Sequence, residues 1–421
     1  MKISIPHIHK IEGEMGFWAK VAKTGKIEEL KLQTLIGLRQ IEGIVIGRRA
    51  QEVPLIISRI CGICPIVHRL NACCALEKAL NIKFSPLTTV LRKILLANQI
   101  IHSHTLHLFF MSLADFFNFD HDLDLLKKFP KETKAALQIR DFSLKMVKLI
   151  GGRVVHPVTV TVGGFLKYPQ KQAVKKLLDG FGPAMEASEK ILKLLTKLDY
   201  EDLKRETTFV SVYFPKEYAF YKEKEVMAGG KLFSAGDFYS NEIEEKLKLP
   251  PVKRVSFKGK PYMLGAISRV KNSHQFLHPR ARKIFEDFKK QRKNIFQSTF
   301  YNLFYQGLEV LHFLEETEKL IKDSLKYNFK ETIKPIKTKR GSGLSAMEAP
   351  RGTLFTYFEL DKNGRVYNCN IITPSAQFLN NMEADLKKYL PQIIKLKPKQ
   401  RIKKVRALIR VYDPCISCAT H

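Results

Sequence analysis

The sequence predicts an α+β fold that is mainly α, with a central bundle of long helices and small antiparallel sheets at its periphery. Three observations carry this expectation. Segments of helical length and pattern recur through the middle of the chain, at 65–80, 86–117, 131–150, 170–199 and 278–327. Alternating segments punctuated by turn residues fall mostly at 3–34 and 354–371. A Cys-x-x-Cys pair stands near each end, Cys61/Cys64 and Cys415/Cys418. Two such half-sites make sense together if both termini converge on a buried metal site.

Taken in order, residues 3–34 alternate, with Thr24-Gly25-Lys26 as a turn between two strand-like runs. A short helix is expected around 48–57, interrupted at Pro54. Pro65 suits the first position of a helix, which places Cys64 at the N-terminus of 65–80, where a thiolate is favoured. Ser85-Pro86 is an N-cap and first-turn pair for the next helix. On it His107, Met111 and Asp115 recur every four residues and share a face. Gly151-Gly152 and Gly163-Gly164 bracket a loop; no strand–loop–helix pattern surrounds them to suggest a phosphate cradle. Residues 170–199 read as helical with a break near 180–183, and 200–276 as irregular with short strand-like pieces. Strands 354–360 and 366–371 flank the turn Asp361-Lys362-Asn363-Gly364, the best hairpin signal in the chain. A helix follows to about Leu390, where Pro391 should end or kink it. A last strand, 405–412, is expected to deliver the chain to Cys415. No repeat and no linker divides residues 1–421, so a single domain is expected.

The chain has 421 residues, 45% hydrophobic and 27% charged, and carries a net charge of +31. That is a globular composition with a basic surface. No nucleic-acid-binding signature accompanies the lysines, which are spread along the chain, so no nucleic-acid partner is expected. No run approaches the roughly 18 apolar residues of a membrane span, and the N-terminal apolar run is too short for a secretory signal. Seven cysteines, an odd number without a signal peptide, argue for reduced thiols and not for a disulfide framework.

Four thiolates could hold a structural zinc ion. Zinc ribbons, however, separate their two halves by roughly 15–20 residues, whereas here about 350 intervene. Only a folded core can join them, and a soft sulfur set also suits nickel or an iron–sulfur cluster. Spacing alone leaves structural and catalytic use open.

The flanking residues go further. Arg59-x-Cys61-Gly62-x-Cys64-x-x-x-His68 resembles the N-terminal metal motif of nickel–iron hydrogenase large subunits, and Asp413-Pro414-Cys415-x-x-Cys418-x-x-His421 resembles their C-terminal one. Lys10-Ile11-Glu12-Gly13, Leu38-Arg39-Gln40-Ile41-Glu42, the 107–115 and 151–164 segments, Gly265–Val270 and Glu348-Ala349-Pro350-Arg351-Gly352 are similar to further blocks of that family. In motif style the chain is nearest the soluble, cytoplasmic, cofactor-coupled branch. The resemblance implies reversible heterolytic cleavage of dihydrogen at a nickel–iron centre whose iron carries carbon monoxide and cyanide. Cys61 and Cys415 would be terminal nickel ligands, and Cys64 and Cys418 would bridge to iron. Glu42, His421 and the carbonyl of Ile371 would hold a magnesium (or iron) ion near the C-terminus. Ser375 would hydrogen-bond a cyanide, Pro350 would line the cofactor, and His68 would support a bridging sulfur. Arg351 would lie over the open side of the metals, fixed by Asp115. Glu12 would be the first proton relay from Cys415.

Without the cysteine motifs each of these residues has a plainer reading: surface carboxylates, a salt-bridge arginine, a helix-capping serine. Lys10 stands where the family usually has arginine, Glu14 where histidine is common, and Ser375-Ala376-Gln377 where the uptake enzymes have Thr-Thr-Trp. Cys73, Cys74 and Cys369 are too few and too scattered for an iron–sulfur relay in this chain. An iron–sulfur small subunit and further electron-transfer subunits are therefore expected partners, in the cytoplasm. A dihydrogen sensor on the same scaffold and a zinc-bound scaffold are the alternatives. The resemblance also implies a C-terminal extension cut off after the histidine, so a chain ending at His421 is expected to be matured, or encoded to stop there.

Overall fold

The computed structural model describes residues 1–421 except Leu38, Asn118, Asp120, His121, Glu223, Lys224, Leu249, Pro250 and Pro251. The first residue of the 38–42 segment thus lies outside the described residues.

The chain opens with a three-stranded antiparallel sheet: β1 Lys2–Ile5, β2 Met15–Val21 and β3 Ile27–Thr34. Its alternation buries Ile3, Ile5, Phe17, Ala19 and Val21 on one side. Short helices at Ile41–Val45 and Val53–Ile57 follow, and Pro54 lies in the first turn of the second, where its missing N–H costs nothing. α1 (Pro65–Leu80) has Cys64 as its N-cap, and nearly all of its residues are buried. α2 (Pro86–Leu106) begins as expected, with Ser85 accepting from the Thr88 N–H. It runs into a π-helical turn, His107–Ser112, and a last α-turn, Leu113–Phe116.

α3 (Pro130–Gly151) and α4 (Phe181–Leu195) continue the bundle. The 200–276 region contains a four-stranded sheet and a hairpin of β4 (Ile243–Lys248) with β5 (Val252–Phe257). The expected 278–327 helix is two, Pro279–Gln291 and α5 (Asn302–Ser324), because residues 292–301 leave the helical path. α5 packs along α2 at the centre.

β6 (Gly341–Ala349), β7 (Gly352–Leu360) and β8 (Val366–Ile372) form an antiparallel sheet laid on α1. Only glycine permits this approach: a Cβ on Gly343 would lie 2.0 Å from the Ala75 carbonyl oxygen, and one on Gly341 would lie 2.2 Å from that of Ala79.

α6 (Pro374–Ile393) continues past Pro391, further than expected. The 405–412 segment is not a strand. It is the end of a helix, α7 (Pro398–Val411). Its β-branched and apolar residues suggest a strand, but Arg401, Val405, Leu408 and Ile409 are buried at helical spacing, and Pro398 starts the helix. A four-residue helix, Ile416–Ala419, ends the chain. No helix among the described residues is long and apolar enough to cross a membrane.

Candidate metal centre

Both chain ends do meet. The sulfurs of Cys61, Cys64, Cys415 and Cys418 all lie within 4.8 Å of one another, and all four residues are buried. Cys61 Sγ is 3.5 Å from Cys415 Sγ, Cys64 Sγ is 3.4 Å from Cys418 Sγ, and Cys415 and Cys418 are 2.8 Å apart.

Local chain geometry explains each position. Cys61 leaves the turn Ser58–Ile60 in extended conformation. The N–H groups of Ile63 and Cys64 then turn back to its sulfur, each at 3.3 Å. Cys415 follows α7 through Asp413, whose φ of 52° makes the sharp exit from the helix. Asp is among the few side chains that tolerate that region. The Cys415 N–H donates to Ser375 Oγ at 2.9 Å, and Thr373 Oγ1 donates to the Cys418 carbonyl at 2.9 Å. The start of α6 therefore holds the C-terminal loop.

The N-terminal segment holds its other side. Ile416 N–H donates to the Glu12 carbonyl at 2.8 Å, and Glu12 N–H to the Pro414 carbonyl at 3.3 Å. Gly13 (φ +81°) makes the contact possible, since a Cβ there would lie 2.9 Å from Ile416 Cβ. Glu12 Oε2 is 2.9 Å from Cys415 Sγ and accepts from the Ser417 N–H at 3.1 Å. Arg39 donates to the carbonyls of Ile60 and Ser417, tying the two cysteine loops together.

Four thiols in so small a space do not ionise alike. Hydrogen bonds from Cys415, Cys418 and Cys64 hold Cys61 well below the usual thiol value. Burial pushes Cys415 and Cys418 well above it. At Cys64, bonds from Cys415 and Cys418 pull downward, but the bond with Cys61, burial and the Cys61 charge outweigh them, so its pKa is raised despite the helix N-terminus. A bound cation replaces those protons.

His68 is neutral, its pKa lowered to about 3 by burial, with Nε2 3.5 Å from Cys418 Sγ. A pocket against the sulfurs has His68, Pro350, Arg351 and Ser375 in its walls. Arg351 Nη1 and His68 Nδ1 are buried there without partners. A soft sulfur donor set with an unspent guanidinium nitrogen beside it fits a nickel or iron centre carrying small polar ligands.

The Arg351 guanidinium is held by Asp413, through the backbone oxygen at 2.5 Å and Oδ1 at 2.8 Å. The expectation that Asp115 would fix it is corrected. Asp115 pairs with Arg410 at 2.7 and 2.9 Å. His107 contacts the Arg410 carbonyl at 2.6 Å, so His107 and Asp115 do share a face. That face meets the end of α7, which the expected strand at 405–412 hid.

Glu42, Ile371 and His421 also converge. His421 Nε2 is 3.0 Å from the Ile371 carbonyl oxygen and 3.7 Å from Glu42 Oε1, and Glu42 Oε1 accepts from the Ile371 N–H at 2.6 Å. Burial would raise the Glu42 pKa, but the neighbouring His421 ring and the charge of Lys253 bring it down to about 2. The Lys253 ammonium lies among these groups.

Sequence reasoning missed Asp413 as the arginine's partner, although it sits inside the quoted C-terminal motif. It also missed Arg39, which was quoted without a role, and Lys253, one lysine in a segment read as irregular.

The family profile described as nickel-dependent hydrogenase matches residues 39–135 and 211–421. The chain is 31% identical over 427 residues to the sulfhydrogenase 1 subunit alpha of Pyrococcus furiosus, covering 100% of this chain and 98% of that one. It is 22% identical to the NAD-reducing hydrogenase HoxS subunit beta of Cupriavidus necator, covering 100% and 94%. A solved structure of an NAD+-reducing NiFe hydrogenase in its H2-reduced state superposes with a TM-score of 0.88 at 21% identity, covering 100% and 99%.

Proposed function

Because the chain belongs to the nickel-dependent hydrogenase family, we propose that Cys61, Cys64, Cys415 and Cys418 hold a nickel–iron centre that cleaves dihydrogen reversibly. The enzyme is an oxidoreductase acting on hydrogen. The observation that carries the site assignment is the meeting of four buried sulfurs from opposite chain ends, with a carboxylate 2.9 Å from one of them.

When bound, the metal pair supplies the Lewis acid at which dihydrogen parts heterolytically. The chain's own groups handle the proton. Cys415 Sγ receives it and passes it to Glu12 Oε2, which the Ser417 N–H keeps in place. Arg351, clamped by Asp413, offers Nη1 and a fixed positive charge to the pocket and is too basic to act as an acid. His68 Nε2 lies 3.5 Å from Cys418 Sγ, where its N–H would steady that thiolate. Ser375 Oγ accepts from the Cys415 N–H, and its own proton would be free to hold a cyanide of a centre whose iron carries cyanide and carbon monoxide. Pro350 shields the same pocket. Residues 1–421 act as one domain in this reading, since both ends supply ligands.

Electrons leave through a partner. Cys73 and Cys74 are buried neighbours on α1 and Cys369 lies on β8, an arrangement that does not gather four thiolates. An iron–sulfur small subunit, with further electron-transfer subunits behind it, is the fitting partner. All seven cysteines are unpaired, in keeping with the reducing cytoplasm.

Metal analysis and infrared spectroscopy of the isolated complex test this reading. About one nickel per chain with carbonyl and cyanide bands is expected, since four thiolates suit one soft centre. Zinc alone, without such bands, refutes it.

A further inference from the structure

Glu42, the Ile371 carbonyl and His421 make a set of donors that invites a third cation, but the space between them is taken. Lys253 Nζ lies 2.7 Å from Glu42 Oε1, 2.7 Å from Asn370 Oδ1 and 3.2 Å from the Ile371 oxygen. A second carboxylate, Glu245 Oε1, is 3.2 Å away. The lysine side chain is only 13% exposed. It reaches this point from β5, and its acceptors come from the 41–45 helix, from β8 and from β4.

An ammonium has three N–H donors and no acceptor, and this cage supplies oxygens to all of them. A magnesium-type cation needs the same oxygens at about 2.0–2.1 Å in an octahedron. It cannot have Glu42 and Ile371 while Nζ stands between them. The histidine is no better placed. His421 Nδ1 is 2.5 Å from the Cys418 carbonyl oxygen, and Nε2 is 3.0 Å from that of Ile371. Both ring nitrogens thus lie within hydrogen-bond reach of backbone carbonyl oxygens.

We propose that Lys253 supplies, as part of the chain, the positive charge that ties Glu42, β8 and the C-terminal histidine together, so that this site takes no divalent cation. Lys253 is a positioning residue: it touches neither the sulfurs nor the pocket. Through Ile371 and His421 it fixes the Cys418 carbonyl, and with it the loop that carries two of the four thiolates. Closure of the C-terminus then needs no third metal.

The test uses the whole complex, incubated with manganese(II) as a paramagnetic stand-in for magnesium, gel-filtered, and read by metal analysis and electron paramagnetic resonance. The wild-type complex should retain no manganese that Glu42→Gln abolishes, and EDTA should leave its melting temperature unchanged. Lys253→Ala empties a cage of two carboxylates and a carbonyl, and should retain about one manganese per chain, as such oxygen sets do. Its melting temperature should then rise with manganese and fall with EDTA. Stoichiometric magnesium or manganese in the wild type, removed by Glu42→Gln, overturns the proposal. So does a folded Lys253→Ala complex that melts like wild type and binds nothing. If that variant does not accumulate, the wild-type count alone decides. Nickel content and infrared bands report separately on the nickel–iron assignment, so the two readings can fail independently.

Discussion

Replacing Glu12 by glutamine separates its proton-handling role from its structural one. Glu12 Oε2 makes two contacts, with Cys415 Sγ at 2.9 Å and with the Ser417 N–H at 3.1 Å. Its backbone bonds to Pro414 and Ile416 do not depend on the side chain. Glutamine has the same shape, and its amide oxygen still accepts from Ser417. The structural cost is the difference between a charge-assisted and a neutral hydrogen bond, about 1 kcal/mol. The amide cannot take a proton from Cys415, so the general-base contribution is lost, roughly 10²–10⁴-fold in rate. That corresponds to about 3–5 kcal/mol of barrier. Activity and stability should therefore part company. Hydrogen–deuterium exchange with dihydrogen gas should fall at least a hundredfold, while nickel content, infrared bands and melting temperature stay near wild type. Exchange within tenfold of wild type, in a variant with its full nickel, would remove Glu12 from the proton path.

Cys415→Ser should abolish turnover and nickel retention together, because an alkoxide is a poor substitute for a soft thiolate; measured nickel near one per chain contradicts the ligand assignment. Asp413→Asn keeps the left-handed backbone but leaves the Arg351 charge unneutralised, at a cost of about 3 kcal/mol, which denaturant titration reads directly. Asp115→Asn should cost less than this, because Asp115 and its partner Arg410 are 15% and 7% exposed. It should leave the infrared bands unshifted, since Arg351 keeps Asp413; a band shift as large as that of Asp413→Asn restores Asp115 to the site. Glu309 is opposed by burial, but the charge and hydrogen bonds of Arg269, with His104, bring its pKa down to about 2. Its folded value lies below the unfolded one, so the unfolded chain binds the extra proton. Stability should drop as pH falls from about 4.5 towards 2, and Glu309→Gln should flatten that part of the profile.

Much of the helical framework was legible because local physics sets it. Ser85-Pro86 caps a helix and Pro65 begins one wherever they stand, and the Asp361–Gly364 turn makes its hairpin from its own residues. The failures are equally specific. Residues 405–411 are apolar and β-branched enough to read as a strand, and their helical state depends on the face that α7 buries. Pro391 was expected to stop or kink a helix whose packing carries it to Ile393.

The sequence by itself singled out the four cysteines that converge, with their flanking residues, since two Cys-x-x-Cys motifs about 350 residues apart make sense together as halves of one centre. It could not determine which charges meet around that centre. The resemblance implied Asp115 as the carboxylate for Arg351, and only the exit of α7 at Asp413 brought Asp413 to it instead. Lys253 carried no local signal at all. Its place beside Glu42 and Ile371 follows from how β5 packs on α6, which brings the lysine within reach of β8, and ion pairing across such distances in the chain is a product of tertiary structure. Ligand identity is written in short motifs; the electrostatics that hold the ligands belong to the fold.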